Sequence, residues 1–118
     1  VATHQAVVVL ISTDPRVSHR AFEALRIGTG VLAGENEVTF VLTGPGVHLL
    51  DEDTDELVDG DEIAKFRATL RSLGAVFHVE DSAVPADPAW NRDKHPVVAV
   101  SRDGIAALVR GAGRALVF

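Results

Sequence analysis

Residues Ala6 to Val47 read as one complete strand–helix–strand unit, and no other part of the 118-residue chain constrains its fold as strongly. The run Ala6-Val7-Val8-Val9-Leu10-Ile11 is continuously apolar and mostly β-branched. That is the pattern of a strand buried on both faces, as strands of parallel sheets are. Ser12-Thr13-Asp14-Pro15 follows as a helix-start signal, with Asp14 suited to capping free N–H groups and Pro15 to the first helical position. From Arg16 to Ala33, the residues Val17, Ala21, Leu25, Gly28 and Leu32 recur at helical spacing. Gly34 is placed to end that helix, and Val38-Thr39-Phe40-Val41-Leu42 supplies the next strand. A crossover this short between two buried strands predicts a parallel sheet with a right-handed connection. Ligands on such sheets gather at the carboxyl ends of the strands, which fixes where a site is to be sought.

The remainder of the chain continues the alternation. A dense acidic stretch, Asp51 to Glu62, leads into a helix expected from about Asp61 to Leu73. Ile63, Phe66, Leu70 and Leu73 form its apolar stripe, with Lys65, Arg67 and Arg71 around it. Gly74 caps this helix, and Ala75 to Val79 reads as a third strand. Residues Glu80 to Pro96 carry Pro85, Pro88 and Pro96, which rules out a long helix there. Val97 to Val100 is a fourth strand, apolar throughout and so expected to be buried. A short helix over roughly Asp103 to Arg110 follows, capped by Ser101 or Asp103 and broken by Gly111 and Gly113. Ala115 to Phe118 makes a last strand. The whole reads as a single α/β domain over residues 1–118, a three-layer α/β/α sandwich around a five-stranded parallel sheet.

Composition excludes several function classes. A formal charge of −6 leaves no basic stripe to neutralise phosphates, which argues against nucleic acid. No apolar run approaches the ~20 residues of a membrane span, and cytoplasm is the expected location. The chain has no cysteine, so it forms no disulfide of its own, performs no thiolate catalysis and offers no cysteine ligand to zinc.

Three segments carry a family resemblance: AFEALRIGTGVLAGENEVTFVLTGPGVHLLDE, the helix from Glu62 to Leu73 with its glycine and third strand, and the closing VVAVSRDGIAALVRGAGRALVF. Together they resemble the DsrE/DsrF-like family, small α/β proteins that include sulfur-relay subunits. The match is weakest between Asp81 and Pro96. The resemblance implies helices on both faces of the sheet and a homo-oligomer, a trimer or a hexamer built from trimers. Catalytically active members carry a cysteine after the third strand, where a persulfide is formed and passed on. Here that region reads Val79-Glu80-Asp81-Ser82-Ala83, and a serine cannot hold a persulfide. The expectation is a non-catalytic member with a structural or ligand-binding role.

The topology sends Ser12, Thr13, Asp14, Thr43, Gly44, Glu80, Asp81, Ser82, Ser101 and Arg102 to the carboxyl edge of the sheet. There they are candidates to line a pocket for a small polar ligand, with helix N-termini as donors. Each is equally suited to capping its own helix or turn. Among the histidines, His4, His19, His48, His78 and His95, none has the spacing of a helical metal site, and no cofactor is expected. His19 and His48 are placed to converge near Asp81, which would suit a general base in a non-thiol enzyme. Asp51, Asp53, Asp55, Asp59 and Glu62 match calcium-loop positions, but Glu56 replaces the glycine of the sharp turn. Asp14, Asp81 and Ser101 loosely mimic a phospho-receiver, without its final lysine and helix. Gly28-Thr29-Gly30 lies inside a helix, where close packing on the sheet explains it better than a dinucleotide site. Trp90, the only tryptophan, is a candidate lid, interface anchor or pin for the Pro-rich segment.

Overall fold

The computed structural model describes residues 6–118; His4 lies outside them. Its elements are β1 (Ala6–Ile11), α1 (Arg20–Ala33), β2 (Glu37–Leu42), α2 (Gly60–Ser72), β3 (Phe77–Glu80), β4 (Val97–Val100), α3 (Arg102–Gly111) and β5 (Arg114–Val117). Short 3-10 segments occupy Gly44–Leu50, Thr54–Glu56 and Asp81–Ala83. All strand pairs are parallel, in the order β4-β3-β2-β1-β5. The chain steps outward from β1 to β4, and α3 then carries it back to the far side of β1. With right-handed crossovers, that reversal puts α3 on the face opposite α1 and α2. The expected α/β sandwich is the architecture observed.

Alternation along the strands divides the core unequally. Val7, Val9 and Ile11 of β1, Phe40 and Leu42 of β2, and Phe77 and Val79 of β3 pack against Ala21, Ala24 and Leu25 of α1 and Ile63 and Leu70 of α2. The intervening residues Val8 and Val41 meet only Ile105 as a buried partner, with Leu10, Val100, Leu108 and Val109 half-covered around them. The second layer is therefore a single ten-residue helix. Part of the sheet is left uncovered: Val117 in β5 is exposed, and so are Val97 and Val98, because β4 lies at the sheet edge and is not the buried strand that its apolar run predicts.

Gly28 shows why the crossover helix sits so close to the sheet. A Cβ at this position would lie 2.5 Å from the Phe40 ring, and the bare Cα is what admits that ring. The end of α2 is a Schellman motif: Gly74 takes φ +74°, its N–H reaches Arg71 O at 3.1 Å, and Ala75 N–H reaches Leu70 O at 3.0 Å. Ser101 caps α3 by accepting the Gly104 N–H at 3.0 Å.

The starts of the first helix and of the third strand differ from the sequence expectation. The first helix begins at Arg20, not Arg16. Asp14 spends its carboxylate on the Arg16 N–H and guanidinium, and its carbonyl accepts from the Val17 and Ser18 N–H groups. Asp-Pro thus punctuates a separate turn, since capping a helix and capping a turn use the same side-chain chemistry. Val17 is 78% exposed and takes no part in the apolar stripe. The third strand likewise starts at Phe77, because Gly74 and Ala75 are consumed in ending α2.

Candidate functional site

At the carboxyl ends of β2 and β3, Glu80 forms a saturated knot. Its side chain is 3% exposed. Oε1 accepts from Thr43 Oγ1 at 2.7 Å and from the Gly44 N–H at 2.9 Å. Oε2 accepts from Arg102 Nε at 3.2 Å and Ser82 Oγ at 3.3 Å. The Thr43 hydroxyl, then the Gly44 N–H, hold its acidity at about 2 against the opposing effect of burial, with Arg102 adding to the shift. Five of the residues expected at this edge, Thr43, Gly44, Glu80, Ser82 and Arg102, meet here. The anion they hold is the protein's own carboxylate. The knot ties the loop after β2 to β3 and to the start of α3.

The crevice between β1 and β5, where strand order reverses, is also closed by the chain itself. Ser12 donates both its N–H (2.9 Å) and its hydroxyl (3.2 Å) to Phe118 O. The Arg20 guanidinium lies 5.9 Å from the centre of the Phe118 ring. Ser12 thus serves as a strand-end tie.

The open space lies beside these two ties. A cleft of about 310 Å³ is bounded by Arg16 after β1, His48 and Asp51 after β2, Glu52, Asp53 and Glu56 of the acidic stretch, and Pro85, Asp87, Ala89 and Trp90 of the Pro-rich segment. Its volume is at the small end of the range for metabolite sites. His48 Nδ1 lies 3.0 and 3.1 Å from the two Asp51 oxygens. A carboxylate only accepts, so Nδ1 is the donor in this contact and Nε2 is the ring's other polar atom. This is the arrangement by which a carboxylate orients a histidine for proton transfer. Arg16 is pinned by Asp14, whose acidity is raised chiefly by the Arg16 hydrogen bonds. Trp90 donates its indole N–H to Val47 O at 2.8 Å and packs on the main core. It is therefore both the pin of the Pro-rich segment and a wall of the cleft.

The other sequence candidates are dispersed. His19 and Asp81 are exposed and form no side-chain hydrogen bond to a described residue; His48 pairs with Asp51 instead of meeting them. Asp14 and Ser101 are engaged in a turn and a cap, so no phospho-receiver cluster forms. Thr13 Oγ1 and His78 Nδ1 are buried without a partner. The calcium-loop carboxylates do not converge: Asp53 caps a 3-10 turn, and among the described residues no group of three or more His, Asp or Glu is arranged to hold a metal ion. Sequence reasoning missed Asp51 as the partner of His48. The signal was there in the three-residue spacing, which a 3-10 turn brings together.

No family model matches the chain, and no curated protein matches it. Among solved structures it superposes on the crystal structure of the ychN protein from E. coli with a TM-score of 0.76 at 16% identity, covering 97% of this chain and 99% of that one. The likeness is one of fold: the five-stranded parallel sheet with its helices, expected from the DsrE/DsrF resemblance, is the architecture the two chains share.

Proposed function

We propose that this chain is a DsrE-like protein that works without a thiol, binding a small polar ligand in the cleft at the carboxyl ends of its strands rather than turning over sulfur. The carrying observation is the cleft itself, in which an oriented histidine, a ring of carboxylates and the single tryptophan face one space of about 310 Å³. Assembly into a homotrimer or hexamer belongs to this reading. It is supported by the family resemblance and by exposed valines, Val98 and Val117 on the thinly covered side of the sheet and Val97 on the other face of the β4 edge. Because Trp90 is the only tryptophan, its emission reports on this cleft alone. Titration with small-metabolite mixtures, alongside native mass spectrometry, should give a saturable emission change and a trimer or hexamer mass. A monomer with unresponsive emission would refute both parts.

A second reading has one specific observation behind it. The Asp51–His48 pair has the geometry of an oriented general base, which suits a non-thiol enzyme. His48→Gln separates the two. Retained binding with loss of a turnover found for the bound ligand would favour the enzyme.

A further inference from the structure

A second cleft, of about 210 Å³, lies on the far side of the Asp51–Thr54 loop, with Glu52 bordering both. Ala64, Arg67, Ala68 and Arg71 of α2 form one wall, and Asp93 and His95 of the Pro-rich segment form the other. The two alanines and the two arginines are each four residues apart, so one face of the helix offers paired guanidinium groups beside a small-residue floor.

We infer that this cleft is a binding site for a small tetrahedral oxyanion of the phosphate or sulfate type, gripped by Arg67 and Arg71. Arg67 is the organising group. Its side chain is 3% exposed, yet of its five N–H donors only two are matched by hydrogen bonds to described residues: to Asp51 O at 2.8 Å and to Asp93 Oδ2 at 2.9 Å. A buried guanidinium with unspent donors is the chemistry that recognises oxyanions bidentately. Asp93 is 55% exposed, so the carboxylate now holding Arg67 is largely in water and readily exchanged for a ligand oxygen. Arg71 is exposed and forms no salt bridge to a described residue.

Charge selects an anion over a cation. Although the protein carries −6, this cleft gathers Arg67 and Arg71, while Glu52 at its rim is matched by Arg92 at 3.4 Å. His95 senses the resulting field. It is 5% exposed, its Nδ1 has no hydrogen-bond partner, and its ring packs edge-on to Phe77. Burial first, then the charges of Arg67 and Arg71, hold it below its ordinary basicity, with Asp93 opposing. The volume, below that of typical metabolite pockets, restricts the occupant to a small ion or the terminal group of a larger molecule.

The test is calorimetric titration of the intact protein with inorganic phosphate, sulfate and glycerol phosphate, with the His95 ring followed by NMR. Saturable binding is expected, with the His95 pKa moving upward as the anion offsets the two arginines. Arg71→Ala should weaken binding about ten-fold, the loss of one charge-assisted contact. Asp93→Asn, which removes the competing charge but keeps an acceptor for Arg67, should tighten it. Equal binding of the monoester would identify a site for a phosphate group on a larger molecule; discrimination against it, a site for the free ion. No saturable binding, or binding indifferent to Arg71→Ala and Asp93→Asn, would overturn the inference. None of these readouts depends on the Trp90 cleft.

Discussion

Replacing Glu80 by glutamine tests the knot at the strand ends. The substitution keeps the size of the side chain but removes the charge that Thr43, Gly44, Ser82 and Arg102 converge on. The carboxyl group is held at about 2 in the folded chain against an ordinary 4.5. Each unit of such a displacement corresponds to about 1.4 kcal/mol of differential stability, so the full effect is about 3.5 kcal/mol. Arg102 is 88% exposed, and solvent screening of that arm reduces the figure to about 2–3 kcal/mol. The folded-state pKa is depressed, so this stability is fully present above pH 4.5 and is lost as pH falls from there through about 2. Urea denaturation of wild type and Glu80→Gln across that range isolates the contribution, because effects of other carboxylates cancel in the difference. At pH 7 the variant should be about 2–3 kcal/mol less stable, or about 8–12 °C lower in Tm for a domain of this size. The two curves should converge as pH falls below about 2, where wild-type Glu80 is itself protonated. A gap under about 0.5 kcal/mol at pH 7, or one independent of pH, would refute the reasoning.

Three further predictions follow from the packing. Gly28→Ala should destabilise by about 1–3 kcal/mol, because its methyl group meets the Phe40 ring, whereas Gly30→Ala on the open side of the same helix should stabilise by up to about 1 kcal/mol; thermal melts of the pair check both signs. Trp90→Phe removes the bond to Val47 O and should cost about 1–3 kcal/mol in denaturant titrations, the indole's hydrogen bond and the lone carbonyl it leaves behind both counting. Val98→Lys, on the exposed edge strand, should leave the monomer folded by circular dichroism and shift the proposed trimer or hexamer to smaller species in analytical ultracentrifugation.

Much of the fold is legible in the chain because both signals for it are local. Runs such as Ala6–Ile11 and Val97–Val100 mark parallel strands by composition alone, and the Gly74 and Ser101 caps act within a few residues of themselves. Asp14-Pro15 misleads because a turn and a helix start share their chemistry. The candidate site is less legible because its contacts are long-range. Topology sends Thr43, Gly44, Ser82 and Arg102 to the same sheet edge as Glu80, but that the Glu80 carboxylate itself fills the space depends on Arg102 arriving from another element. Arg67 reads in sequence as a flank of the apolar stripe of α2. It is buried because Asp51 O and Asp93 reach it across 16 and 26 residues of chain, a distance that periodicity does not register.

The place of β5 has a consequence for how the molecule assembles in time. The strand that completes the sheet pairs with the first one, and the Ser12–Phe118 tie spans 106 residues. Pairs of such sequence separation close late, because the entropy of closing the loop must be met before any contact rewards it. Strands β1 to β4 are able to dock on α1 and α2 while Val8 and Leu10 still lack their neighbours Ala115 and Val117. During synthesis, the free edge of β1 therefore waits until β5 has emerged. Folding speed and aggregation in the unfinished sheet are set by the strand that emerges after the other four.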